Sequence, residues 1–570
     1  MRQFTIYILV LTIFLPRLAA QVPDSSRFVK PLKIKPFVSG SFGELRSNHF
    51  HSGLDLTTNR KTGYRVYASD NGYVARIKVS PYGYGKAIYI NHADGYTTVY
   101  AHLENYAPRI DSLVQARQYA EESFALELFF KAGELPVKRG EVIAYSGNSG
   151  GSGGPHLHYE VREQATQKPI NPLRFRNDIA DNVRPQIQGI KFYCLDENAS
   201  VSGRREDKYV PTVFYDKAFH PKGSKIFTAH GKIGLGVQVI DYFSGSWRKC
   251  GITSIDLWVN DTLVYNFNID KFSFAETRYL NAHIDYAEKR RSGKVIQKSF
   301  VEANNRLSLY NKKNSYTTIL KPGDIKECSY KIIDYAGNVS RLNFTIKGEE
   351  APNPLQLAPS PLLKVNCKKS FQLDTLDMQL HIPANTFYTD IDLFIHKEEK
   401  AGFVTPIYHI GDNHIPLHKA FTLRIPVPDS LLKHRDKLLM AGVTPQGKTF
   451  SAGGQCEGQE LICSTRSFGR FTLAIDSVPP LIKLHKAPQN NNYAGRKTIQ
   501  FTMRDSFSGI QHYECRIDGQ WALFEYDAKN DRLIGHLKNI PFLTKGEHQL
   551  SVKVRDNKNN TSTKTYTFSY

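Results

Sequence analysis

Between residues 35 and 105 apolar positions gather in short runs, which predict short β-strands. Tyr73–Val79 and Ala87–Ile90 are such runs, bounded by Gly, Asn and Pro, and Tyr96 to Tyr100 is another. Val142–Tyr145 and Leu157–Val161 resume the pattern further on. Between them Ala120, Phe124 and Leu128 recur at spacing four and Gly133 follows as a stop, which predicts a helical insertion within Asp111 to Gly133. This first unit ends near residue 175, and a domain is assigned over 21–178.

The remainder is also β-rich, and it repeats. Asp181-x-Val183-x-Pro185-x-Ile187 is echoed by Asp476-x-Val478-x-Pro480-x-Ile482. Asp241-Tyr-Phe-Ser-Gly245 is echoed by Asp505-Ser-Phe-Ser-Gly509, and Asp334-Tyr-Ala-Gly-Asn338 by Asp556-Asn-Lys-Asn-Asn560. Three echoes in one order predict two copies of an Ig-like β-sandwich, 179–350 with an insertion and 477–570 without it. The aspartates read as turn formers, since their spacing lacks the carboxylate density of an EF-hand loop. A Pro-rich linker is assigned to 351–363 and a further β domain to 364–476. The expected fold class is therefore mainly β throughout.

Composition narrows the setting. Hydrophobic residues at 41% and charged residues at 23% exclude wholesale disorder, collagen and a polytopic membrane protein. The 31 Tyr and 33 Phe against 4 Met suit sheet cores. A formal charge of +21 favours polyanionic surroundings. Arg2, the apolar run from Phe4 to Leu15 and the small residues of Leu18-Ala19-Ala20 have the layout of a signal peptide over residues 1–20. The run is too short to span a bilayer, so no transmembrane segment is expected in the mature chain, and export excludes a nucleic-acid partner. The seven cysteines leave at least one unpaired, and Cys456 and Cys463 are near enough in sequence for a local bridge. Residues 21 to 193 contain no Cys, so any metal there is held by His, Asp or Glu.

Three stretches carry chemistry: Asn48 to Asp55, Val99 to Leu103, and Gly153 to Glu160. In a strand His156 and His158 leave the same face while Leu157, Tyr159 and Val161 bury on the other. Two imidazoles and one carboxylate suit a Zn²⁺ that keeps a fourth position open for water. Asp55, four residues after His51, is the candidate carboxylate, and Gly53 between them permits a tight turn. His49 reads as a neighbour or structural residue, His92 as a turn histidine, and Glu160 as an acid that orients a ligand.

The pattern H-x-G-x-D, then Y-A-H-L, then G-P-H-L-H-Y-E resembles the M23 peptidases, the lysostaphin-like or LytM-type zinc endopeptidases. The Gly-rich run 146–154, Tyr82-Gly-Tyr-Gly85 and Gly95-Tyr-Thr-Thr98 match as well, so the resemblance covers about residues 35 to 175. It implies a small antiparallel sheet, one Zn²⁺ bound by His51, Asp55 and His158, and catalysis by His102 and His156. It implies hydrolysis of peptidoglycan cross-links through a zinc-bound water, with the peptide stems as partner, by a protein exported across the inner membrane to the periplasm or cell envelope. The sandwich domains would position the enzyme or bind protein or glycan partners. The rival expectations are a LytM-type scaffold that activates a cell-wall amidase, or a cell-surface adhesion module.

Overall fold

The computed structural model describes residues 27–570 except 36, 177, 313–315, 352–361 and 376. The signal-like residues 1–20 and the prolines of 352–361 lie outside the described residues. The chain is mainly β, and no described helix is long and apolar enough to cross a membrane.

The first domain is an antiparallel sheet in the order Val38–Gly40, Leu54–Thr57, His156–Glu163, Tyr96–Tyr106, Lys86–Asn91, Gly72–Val79, Leu126–Phe129. Leu54, Leu56, Tyr100, Leu157, Tyr159 and Val161 fill one face and are fully buried. The opposite face of the same central strands carries the candidate chemistry.

The helix predicted within 111–133 lies earlier, at Pro108–Ala120. Pro108 presets its first turn, Asp111 and Arg117 complement the helix dipole at either end, and Ile110, Val114 and Gln118 form its buried stripe. Leu126 and Leu128 belong to a strand instead, and Phe124 buries in step with them just before it: the three are buried at alternate positions, and Leu126–Phe129 pairs with Gly72–Val79. The spacing of four was therefore two strand periods rather than one helical turn.

Residues 186–348 form a 12-stranded system and the C-terminal residues two four-stranded sheets. Both share one core pairing. Gln186–Cys194 runs antiparallel to Ile226–Ile240, as Leu481–Leu484 does to Thr498–Arg504. The hairpin Ile325–Ile333 and Val339–Gly348 corresponds to Glu547–Asp556 and Thr561–Ser569. The extra length of the first copy includes helices Leu280–His283 and Tyr286–Ser292, which lie against the first domain: Asn281 Nδ2 donates to Asn48 Oδ1 at 2.8 Å, and the Phe50 amide donates to Thr277 Oγ1 at 2.8 Å. Between the copies two five-stranded sheets enclose a separate core.

The last domain returns to the first. The Tyr119 and Trp521 rings meet edge-on with centroids 5.1 Å apart, Arg516 pairs with Glu122 at 2.7 Å, and Lys86 pairs with Glu525 at 2.7 Å. Their apolar cores form one continuous buried cluster, whereas residues 365–473 have a cluster of their own and that of the first sandwich takes in Phe42 and Phe50 of the first domain.

All seven cysteines are free thiols. In the hairpin of Gln455–Glu457 and Glu460–Thr465 the residue opposite Cys456 is Leu461, and Cys463 Sγ lies 3.3 Å from the Ala452 carbonyl instead of bridging.

Candidate metal centre

Strand register builds the centre. Asp55 and His158 are directly opposite on neighbouring antiparallel strands, so their side chains leave the same face side by side. His156 and Glu160 flank His158 on that face by alternation. His51 precedes the Leu54–Thr57 strand and folds back onto it.

His102 reaches the centre by breaking the alternation. Ala101 lies opposite His158, so a regular strand would turn His102 to the core face. His102 instead takes a left-handed φ of 59° at a bulge, and Tyr100 and Leu103 both point into the core across an odd separation. The imidazole is thereby aimed beside His156, with ring centroids 4.8 Å apart.

Gly53 serves close approach rather than a turn. A Cβ there would sit 2.4 Å from the Tyr159 carbonyl oxygen of the neighbouring strand. Gly40 is similar, since a Cβ would fall 2.5 Å from Asp55 Oδ2.

His51, Asp55 and His158 are buried, and one ligand atom from each lies within 4.8 Å of the others. His51 Nε2 is 3.0 Å and His158 Nδ1 2.9 Å from Asp55 Oδ1, and the two ring nitrogens are 3.0 Å apart. His156 Nε2 approaches the same oxygen at 3.3 Å from the more open side.

The outward nitrogen of each imidazole faces a fixed acceptor. His51 Nδ1 meets the Ser41 carbonyl at 2.7 Å, His102 Nδ1 the Ser149 carbonyl at 2.9 Å, and His156 Nδ1 the Gly154 carbonyl at 2.8 Å. His158 Nε2 meets Glu160 Oε1 at 2.8 Å. With a cation in place these acceptors would keep an N–H on each outward nitrogen and leave the inward lone pairs for the centre. That donor set, two imidazole nitrogens and one carboxylate oxygen, fits Zn²⁺ with a position left open.

Electrostatics agree with a site for positive charge. Burial alone would raise the Asp55 carboxyl, but His51 and the hydrogen bonds from His156 and His158 hold it well below the usual range. Burial would lower His158, yet hydrogen bonds to Asp55 and Glu160 push it up to about 9. Two anions facing one ring call for a positive charge at this point. Burial pushes His51 down, and burial with the neighbouring His156 and His158 pushes His102 down to about 3, so His102 is neutral at ordinary pH.

Sequence reasoning missed four contributors. Arg46 Nη2 holds Asp55 Oδ2 at 2.7 Å. Ser52 Oγ donates to Glu160 Oε1 at 2.6 Å, Tyr84 OH donates to the same oxygen, and Arg162 Nε donates to Glu160 Oε2 at 2.6 Å. Arg162 was legible by alternation two residues after Glu160; Arg46 comes from a loop with no local signal. His49 lies outside the centre, exposed and bonded to the Ser47 carbonyl, and His92 is buried with both nitrogens satisfied by Asn71 and Thr98.

A cleft of about 480 Å³ opens over the centre. Phe37, Arg46, Arg60, His102 and His156 line it from the first domain, and Trp247 and Arg248 from the second.

Residues 49–120 and 127–172 match the model of peptidase family M23, and residues 362–476 match that of a Zu5-like domain. The first domain therefore belongs to peptidase family M23. The chain is 34% identical over 129 residues to the DD-carboxypeptidase/endopeptidase Mpg of Neisseria meningitidis serogroup B, a match covering 23% of each chain. It is 30% identical over 133 residues to the peptidoglycan DD-endopeptidase ShyA of Vibrio cholerae serotype O1, covering 23% of this chain and 24% of that one. It is also 30% identical over 125 residues to the murein hydrolase activator NlpD of Salmonella dublin, covering 22% and 26%. The chain thus spans about a quarter of the length of the curated relatives it matches.

Proposed function

We propose that this chain is an exported zinc metalloendopeptidase that hydrolyses the peptide cross-links of peptidoglycan, acting in the periplasm or cell envelope. The observation that carries the reading is the set of four imidazoles, each tied outward to an acceptor, of which His51, His156 and His158 converge on Asp55 while His102 lies beside His156. In this reading His51, Asp55 and His158 hold one Zn²⁺, and His102 and His156 are the catalytic pair. A bound Zn²⁺ supplies Lewis-acid chemistry to a peptide carbonyl.

The rest is the work of the chain. Arg46 and the histidines keep Asp55 ionised. Glu160 fixes the ring of His158, and Ser52, Tyr84 and Arg162 fix Glu160. His102 is neutral, so its Nε2 is free to accept a proton from an attacking water and to return it to the leaving amine; the Nε2 lone pair of His156 is placed to accept a hydrogen bond from that water and orient it. Acid–base help of this kind contributes roughly 10²–10⁴-fold in rate. Arg60 and Arg248 on the cleft suit a substrate bearing carboxylates. The names of the endopeptidase relatives support the substrate class.

Two variants test the reading on the full chain. His156→Ala should retain zinc and lose release of cross-link fragments from purified cell walls by about 10²-fold or more. His158→Ala should lose both. Equal fragment release by wild type and His156→Ala would reject catalysis and leave the scaffold that activates a cell-wall amidase; NlpD of Salmonella dublin, one of the relatives, is a murein hydrolase activator.

A further inference from the structure

The three aspartates that echo between the sandwich copies converge in space. Asp181 precedes the Gln186–Cys194 strand, Asp241 follows Ile226–Ile240, and Asp334 follows Ile325–Ile333. One carboxylate oxygen from each lies within 4.8 Å of the others, and all three residues are buried. Asp476, Asp505 and Asp556 form the same triad in the second copy.

The first triad is built around an orphaned atom. Asp241 is 1% exposed, and its Oδ1 has no hydrogen-bond partner. Asp181 Oδ1 accepts from the Val183 and Ser244 amides at 3.1 and 3.0 Å, and Asp334 accepts from the Asn338 amide and Nδ2 at 2.9 and 2.8 Å. These bonds orient two carboxylates toward the third and neutralise none. No ion pair to any of the three is found among the described residues. Leaving a buried carboxylate oxygen unpaired is costly, and gathering three carboxylates without a counter-charge more so.

We propose that Asp181, Asp241 and Asp334 bind a divalent cation of the calcium class, which pins the 241–250 loop against the peptidase cleft. Donors that are all oxygen, with no imidazole or thiolate, select a hard cation rather than zinc. The three carboxylates offer up to six oxygens, within the range that Ca²⁺ takes. The second triad repeats the arrangement: Ser508 N donates to Asp476 Oδ2 at 3.1 Å as Ser244 N does to Asp181, and Asn560 donates to both oxygens of Asp556 at 2.8 and 2.7 Å. Its Asp505 Oδ1 is likewise unpartnered. The Lys558 ammonium, bound to the Gly454 carbonyl at 2.8 Å, interacts with the charges of Asp476 and Asp556, so the second triad should bind more weakly.

The first site reaches the cleft through its own loop. Asp241 and Cys250 are bridged backbone to backbone, and Trp247 and Arg248 at the tip line the cleft. Gly251 N donates to Ser41 Oγ at 2.8 Å, and the Ser41 carbonyl is the acceptor for His51 Nδ1. A cation at the triad therefore anchors one wall of the cleft and the residue that orients a candidate zinc ligand. The proposal does not depend on hydrolysis.

The test is calorimetric titration of zinc-loaded full-length protein with CaCl₂, with MgCl₂ as control, beside hydrogen exchange of the 242–250 amides. Wild type should bind Ca²⁺ at least tenfold more tightly than Mg²⁺ and gain protection in the loop. Asp241→Asn, a neutral isostere, should lose one Ca²⁺ equivalent and the added protection while keeping its zinc. Wild type without a Ca²⁺ isotherm, or Asp241→Asn with the isotherm of wild type, would overturn the proposal.

Discussion

Glu160→Gln is the sharpest probe of how the centre is held. Glu160 is completely buried and Arg162 nearly so, with side-chain exposures of 0% and 7%. One oxygen of Glu160 receives His158, Ser52 and Tyr84, and the other receives Arg162. A glutamine has one acceptor end and one donor end. Its oxygen can serve the His158 side, and its NH₂ then faces the Arg162 N–H; the reverse placement opposes three donors and is worse. Either way a buried guanidinium loses its counter-charge, a change that costs about 3–5 kcal/mol. Loss of the outer partner of a metal-bound imidazole lowers metal affinity by roughly 10–100-fold. Zinc affinity, measured by competition with a chromophoric chelator, should fall within that range. The melting temperature of the zinc-free protein should drop on the order of 10 °C. Zinc affinity within twofold of wild type together with an unchanged melting temperature would refute the argument that Glu160 positions His158.

Three further outcomes follow from the geometry. Gly53→Ala should destabilise the first domain by about 1–3 kcal/mol and weaken zinc binding, read by denaturant titration and metal content, because the new methyl meets the Tyr159 carbonyl. Trp521→Ala should cost about 3–5 kcal/mol at the contact with Tyr119 and loosen the 108–120 helix, seen as faster hydrogen exchange there with little change in the 364–476 domain. His283 is fully buried in the first sandwich, bonded to Gln297 and Tyr310, and burial pushes it down to about 4. Its ordinary value in the unfolded chain is higher, so the unfolded state takes up protons first as pH falls. Stability present above pH 6.5 should therefore erode toward pH 4 by about 3 kcal/mol, and His283→Gln should flatten that slope in denaturant midpoints measured at pH 7 and 4.5.

Much of the centre was legible because strands alternate. His156, His158 and Glu160 share a face by counting, and their cores at Leu157, Tyr159 and Val161 follow from the same count. His102 was legible only through the Y-A-H-L resemblance, since its side chain depends on a left-handed bulge that alternation denies. Arg46, the Ser41 carbonyl and the Trp247 wall were not legible, because they reach the centre through tertiary contacts that leave no local period. The helix was misplaced because Phe124 and Leu128 satisfy both a spacing of four and two steps of a strand. The repeated aspartates showed that two domains are related, but repetition along a chain does not reveal that three strand ends meet.

The continuous apolar cluster linking the first and last domains gives the molecule an order of assembly. Synthesis delivers the amino-terminal end first, yet the surface around Tyr119 and Lys86 is not backed until the stretch from Leu481 onward has arrived. In a chain built this way the first part to be made is among the last to be finished.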